Sequence, residues 1–273
     1  MLTSFVLTLR EGLEAALVIG ILTGALHKLN QPNLKRAVWS GVISAILVAV
    51  LAAVLLNLAG TEFEGTGEAI FEGVTMLLAA ILLTWMIFWM NRQAGEMKHR
   101  LEAKIRVAAG NQDRTAIFMV AFLGVLREGI ELAVYLLAAR FASNPVETIS
   151  GTGIGLVVVF LLGWIMINTS RRLSLKRLFQ VTSIVLLLFA AGLVSQGIHD
   201  FNEAGWIPSV IDPVWNLNSI LPDSSVIGQV LKSLFGYEAT PSLTSVISYL
   251  IYLVSLGLIL FRPRLSVARS SSQ

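Results

Sequence analysis

Two charged pentapeptides interrupt stretches that are otherwise apolar: Arg10-Glu11-Gly12-Leu13-Glu14 and Arg127-Glu128-Gly129-Ile130-Glu131. An ionisable group at the centre of a bilayer costs roughly 2.5–3.5 kcal/mol on insertion scales. Six of them would cost about 15–20 kcal/mol without local compensation. A chain that places such groups twice, in the same order, is constrained to fold so that each set is balanced by its surroundings.

The medium is set by composition. Hydrophobic residues make up 55% of the 273 residues and charged residues 14%, the pattern of a polytopic membrane protein. Seven segments are long and apolar enough to be expected as spans: 2–26, 38–59, 69–90, 116–138, 153–167, 178–198 and 243–261. The net charge of +3 is no nucleic-acid footprint; its meaning lies in its placement. Lys28, Lys35 and Arg36 fall in one inter-span segment, and Arg92, Lys98, Arg100, Lys104, Arg106 and Arg114 in the next segment on that side. Arg171, Arg172, Lys176 and Arg177 follow, then Arg262, Arg264 and Arg269 on the tail. These are sixteen of the 20 basic residues, so the positive-inside rule predicts an external amino terminus and a cytoplasmic carboxyl terminus. The first apolar stretch has no basic leader and contains Arg10, Glu11 and Glu14, so it is expected to be a true span. The chain has no cysteine, which excludes disulfides, thiolate ligands and iron–sulfur centres.

The motifs open the first and fourth spans, and weaker matches follow in the same order. Ser40-Gly41 corresponds to Ser150-Gly151, Asn57 to Asn168, Phe71-Glu72 to Phe179-Gln180, and Thr75 to Thr182. Three spans per half is an odd number, so the second half would enter from the opposite side: an inverted-topology repeat. The expectation is an all-α, single transmembrane domain over 1–273, with repeat 1 about 1–91 and repeat 2 about 115–200. An outer loop over 200–242 and a seventh helix over 243–261 complete it.

Helical spacing puts Glu11 with Glu14, and Glu128 with Glu131, on common faces, with Arg10 and Arg127 reaching Glu14 and Glu131 at i,i+4. Gly12/Ala16 and Gly129/Ala133 are small-residue pairs suited to tight crossing, so the first and fourth spans are expected to cross with their motifs face to face. Two arginines and four glutamates leave −2, one surplus carboxylate per motif. An all-oxygen cage of that charge favours a hard cation or protons. Enzyme chemistry has no footing: there is no H-E-x-x-H, no nucleophile motif and no histidine at mid-membrane depth.

R-E-G-[LI]-E in the first and fourth of seven spans resembles the oxidase-dependent iron transporters, the fungal high-affinity ferric permease and its bacterial EfeU-type relatives. The similarity extends through Phe71-Glu72-Gly73, Leu83-Thr84-Trp85-Met86 and His199-Asp200-Phe201-Asn202-Glu203-Ala204-Gly205. The resemblance implies a multi-pass permease of the plasma membrane that moves iron as substrate, with no permanently bound cofactor. It implies that Glu11, Glu14, Glu128 and Glu131 hold the ion in transit while Arg10 and Arg127 balance charge. It further implies Fe³⁺ supplied by an extracytoplasmic ferroxidase or peroxidase-type partner. Lead, manganese or proton-coupled cation transport is the alternative, and an oligomer stays open.

Two acidic groups lie on the expected outer side: Glu62, Glu64, Glu68 and Glu72 around the start of the third span, and His199, Asp200 and Glu203 at the end of the sixth. Glu68, Glu72, His199, Asp200 and Glu203 are the candidate outer capture residues, with solvated loop charge and helix capping as the plain alternative. Between 205 and 242, residues 226–235 have the amphipathic pattern of a short helix on the outer leaflet or on the bundle. The segment 91–114 reads as a charged surface helix that sets topology.

Overall fold

In hydrocarbon a backbone must satisfy its own polar groups, and an apolar run does so by closing into a helix. The computed structural model describes residues 1–61, 64–93, 96–143, 145–168 and 175–261, and every regular element among them is helical. The elements are α1 (Leu2–Lys28), α2 (Lys35–Thr61), α3 (Thr66–Gln93), α4 (Glu96–Gly110), α5 (Arg114–Ala142), α6 (Pro145–Asn168), α7 (Leu175–Glu203), α8 (Val226–Phe235) and α9 (Leu243–Phe261). Glu62, Arg171, Arg172, Arg262, Arg264 and Arg269 lie outside the described residues.

Among the described residues, four stretches are long and apolar enough to cross a membrane: Pro32–Gly60, Thr66–Trp89, Pro145–Gly163 and Phe179–Glu203. Two of the expected spans, α1 and α5, have the length, at 27 and 29 residues, but each carries three motif charges inside its apolar run. The apolar run of α9, Leu243–Ile259, is shorter. The helix behind the expected fifth span begins at Pro145 rather than 153. Its first turns hold Glu147, Thr148 and Ser150, whose polarity hides a helix start from a hydropathy reading. Along α2, the side chains of Ile43, Ile46, Leu47, Val50, Leu51, Val54, Leu55 and Leu58 are all exposed, a continuous apolar surface suited to lipid.

Packing follows a regular scheme. The helix α2 lies along α5, α6 lies along α1, α3 lies along α7, and α1 crosses α5. Glycines set the closest approaches. A Cβ on Gly41 of α2 would stand 2.6 Å from the Phe118 carbonyl of α5, and one on Gly151 of α6 would stand 3.1 Å from the Phe5 nitrogen of α1. On α3 and α7, Gly73 and Gly197 each face the other's carbonyl oxygen, at 2.9 and 3.1 Å from such a Cβ.

The charged side chains of the two motifs do face each other, but their glycines do not meet, so the small-residue pairs are not the point where α1 and α5 cross. Gly12 is closed off by Val159 of α6, and Gly129 by Ala49 of α2. The reason is angular: one helical residue is a turn of about 100°, so the glycine beside Glu11 or Glu128 points away from the carboxylate face.

Two apolar clusters bracket the motifs. One contains Leu7, Met76, Leu83, Met86, Tyr135, Leu186 and Leu193. The other, at the end carrying the basic segments, contains Val18, Leu22, Leu26, Val38, Ile105, Ile117 and Val125. Ile105, Ala108 and Ala109 of α4 are buried in it, so the segment expected as a surface helix is docked into the bundle.

The predicted 226–235 helix is present with those bounds as α8. Ser225 caps it, accepting from the Gly228 nitrogen, and Gly236 closes it at φ +68°. Asn202 fastens the loop, donating to the Ile207 carbonyl and accepting from Ser242 and Thr244, each of those two bonds at 2.8 Å.

These contacts predict which glycines tolerate a side chain. Overpacking a tight site costs typically ~1–3 kcal/mol, or a fall of about 2–10 °C in melting temperature for a chain of this size. Gly73→Val should show that fall in purified protein, whereas Gly163→Val, with open space around its Cβ, should melt within about 1 °C of the parent. Equal melting of the two variants would contradict the crossing of α3 and α7.

Candidate ion site between the first and fifth helices

The facing surfaces of α1 and α5 bring both charged motifs together. Arg10 is fully buried and donates from Nε to Glu14 Oε1 at 3.3 Å. Arg127 repeats this on α5, donating from Nε to Glu131 Oε1 at 2.9 Å, with Glu128 Oε1 at 4.0 Å. Both i,i+4 pairs expected from the spacing are therefore formed. Their environments differ. Arg127 is 36% exposed along its side chain and lies over the ring of Trp89 at 4.6 Å and that of Trp85 at 5.9 Å, so aromatic faces hold its guanidinium, whereas that of Arg10 is enclosed by protein.

Pairing leaves Glu11 without a bound cation and Glu128 with only the longer contact to Arg127. Both carboxylate oxygens of Glu11, and Oε2 of Glu128, are buried without a hydrogen-bond partner. An unmet buried acceptor costs about 1–3 kcal/mol, and more when charged. Glu11, Glu128 and Glu131 each direct one oxygen into a common space, with those oxygens within 4.8 Å of one another. Among the described residues this is the one such set of acidic or histidine side chains. Oxygens around an octahedral ion at ~2.1 Å stand about 3–4 Å apart, so small side-chain rotations close the set on one ion. Glu14 is buried beside them but committed to Arg10, and it stands outside the set of three.

Sequence reasoning passed over Tyr135. Its ring is fully buried, and its hydroxyl donates to Glu131 Oε2 at 3.5 Å and lies 4.0 Å from Met86 Sδ. It follows Glu131 by four residues, so helical spacing alone contained the signal.

A second acidic group lies at the end of the bundle where α7 finishes. His199 Nε2 stands 3.4 Å from Glu203 Oε1 and 3.6 Å from Glu238 Oε1. Asp200 lies within electrostatic reach of Glu72, Glu203 and Glu238, and Glu72 of Glu68. The candidate outer residues thus share one region, with Glu68 and Glu203 exposed at its rim. Glu238 was not foreseen, because only the folded loop returns it to α7. Burial raises the Glu238 carboxyl above the usual glutamate range, against the opposing pull of His199 and Lys232.

The iron permease FTR1 family matches residues 1–272. The chain belongs to that family. It is 32% identical over 273 residues to the protein named ferrous iron permease EfeU of Yersinia pestis, covering 99% of this chain and 97% of that one. The protein of the same name from Escherichia coli O6:K15:H31 is 31% identical over 275 residues and is covered completely, as is this chain. That of Yersinia pseudotuberculosis serotype I is 32% identical over 269 residues, covering 98% of this chain and 94% of the relative. No solved structure matches the chain. Family membership and the apolar helices make this a multi-pass membrane protein, a permease rather than an enzyme.

The two ion pairs should differ in what they contribute. Removing one partner of a buried pair destabilises by about 3–5 kcal/mol, because the other charge is stranded. Arg10→Met should therefore lower the melting temperature of purified protein substantially. Arg127→Met should do so by less than half as much, since its pair is partly screened. A larger loss from Arg127→Met would overturn this assignment of burial.

Proposed function

We propose that this chain carries iron across the plasma membrane, and that Glu11, Glu128 and Glu131 hold the ion in transit. The observation that carries the reading is the convergence of Glu11 and Glu128, with buried carboxylate oxygens that have no hydrogen-bond partner, from separate helices. Membership of an iron permease family gives the cargo. The cargo supplies the positive charge that the site lacks: a divalent ion neutralises its net −2, and a trivalent one leaves +1. Glu14 serves in the site through Arg10, holding the guanidinium in place and tempering the negative field. Tyr135 and Arg127 hold the two oxygens of Glu131, so its carboxylate is fixed in place beside the ion.

Seven spans are formed by α1, α2, α3, α5, α6, α7 and α9, with the amino terminus outside. The packing scheme supports an inverted repeat of α1–α3 and α5–α7. Exchanging the two halves turns the α2–α5 contact into the α6–α1 contact and maps α1–α5 and α3–α7 onto themselves. Gly41 and Gly151, paired already by sequence, occupy equivalent contacts in it. In such repeats the substrate site lies at the repeat interface near midplane, where the motifs meet.

Carboxylate oxygens suit Fe³⁺ delivered by an extracytoplasmic ferroxidase or peroxidase-type partner. The name of the EfeU relatives favours a second reading, entry as Fe²⁺. Uptake of radioactive iron into proteoliposomes separates them. Ferric chelate should be taken up without reductant if Fe³⁺ enters, and uptake should require ascorbate if Fe²⁺ does.

In the same assay, Glu11→Gln and Glu128→Gln should reduce uptake to background, while the exposed loop variant Glu64→Gln should keep the parental rate. Transport at the parental rate by either site variant would overturn the transit-site assignment. Excess manganese or lead that competes better than iron would overturn the cargo.

A further inference from the structure

Ser4, Thr8 and Glu11 follow one another at i, i+4 and i+7, so they form one stripe on α1, about 10 Å long. Ser4 is 1% exposed and Thr8 is 0% exposed. Neither hydroxyl has a hydrogen-bond partner. This is unusual for a helix, where a serine or threonine normally bonds back to the carbonyl of its own preceding turn. Elsewhere in this chain Thr23, Thr84, Ser143 and Thr152 do so.

A matching stripe runs down α7. Gln196, His199, Asp200 and Glu203 lie within one face by the same spacing. Both amide atoms of Gln196, Nδ1 of His199 and Oδ2 of Asp200 are buried without partners. The two helices are in contact. Their polar stripes occupy the same end of the bundle, since α1 begins where α7 finishes. In the opposite direction the α1 stripe becomes apolar at once. Beyond Glu14 it continues as Val18 and Leu22, sealed against α2, α4 and α5.

We propose that the hydroxyls of Ser4 and Thr8, with the amide of Gln196, form the entry path along which a cation passes from the acidic mouth at Asp200 and Glu238 to Glu11. The inference rests on the transit-site reading and adds the route by which the ion arrives. A cation leaving water needs oxygen atoms to replace its hydration shell. Neutral hydroxyl and amide oxygens provide them without a trap, whereas carboxylates along the whole route would hold the ion too tightly to pass it on. The unmet hydroxyls are thus explained by what moves through, and the apolar seal below Glu14 keeps this route closed toward the other face.

The absence of cysteine makes the test direct. Single variants Ser4→Cys, Thr8→Cys and Gln196→Cys are treated from outside, in whole cells, with a membrane-impermeant, positively charged thiosulfonate. Each should be modified, each modification should block iron uptake, and excess iron should slow the labelling. Val18→Cys should stay unmodified. Unreactive Ser4→Cys and Thr8→Cys, or modification without effect on uptake, would overturn the proposal.

A second variant guards against misfolding. Thr8→Val replaces a buried, unpartnered hydroxyl by a methyl of similar size, so it should melt no lower than the parent. Its uptake should fall roughly tenfold, the factor carried by one lost polar contact at the barrier. Thr8→Ser should retain uptake. Parental uptake by Thr8→Val contradicts the path. Glu128→Gln reports on the carboxylate site separately: its loss of uptake beside silent cysteines would sink the path and leave the site standing, whereas full transport by Glu128→Gln would sink the site itself.

Discussion

Two arginines and four glutamates packed between apolar helices must balance one another locally, because hydrocarbon offers them no water. The balance is incomplete. Arg10 is bound to Glu14 and Arg127 to Glu131, so Glu11 has no bound counter-charge and Glu128 only the more distant reach of Arg127 at 4.0 Å. An arrangement built for stability alone would not leave it so, since buried pairs seldom outperform apolar packing of the same volume. The deficit makes sense when a cation visits.

The rest of the bundle positions that deficit. Because Gly12 and Gly129 face α6 and α2, those helices press close behind the motifs. The carboxylate faces of α1 and α5 are thereby turned toward each other. Tyr135 and the cluster around Leu83 and Met86 exclude water on one flank. On the other flank the cluster of Val18, Leu22 and Ile105 draws α4 into the seal. A helix rich in lysine and arginine thus contributes to closure of the bundle.

Much of this was legible in the chain, and the misses have physical causes. The motifs, the i,i+4 pairing and the α8 segment follow from spacing within one helix, which sequence reports directly. The motif-glycine contacts were misread, because spacing gives the face of a helix but not which neighbour occupies it. Glu238 depended on a loop returning through Asn202, a long-range contact without local signal. Tyr135 and Thr8 were within reach of the same spacing rule that found the motifs. They were passed over because a lone tyrosine or threonine in an apolar helix reads as packing until the structure shows the contact of Tyr135 with Glu131 and the buried, unpartnered hydroxyl of Thr8.

The most direct measurement is the anomalous signal of iron in a structure of the purified protein exposed to the metal. The arrangement predicts one mid-bundle peak coordinated by oxygens of Glu11, Glu128 and Glu131, with Glu14 still bound to Arg10. Iron found only among His199, Asp200, Glu203 and Glu238, with none between α1 and α5, would contradict it.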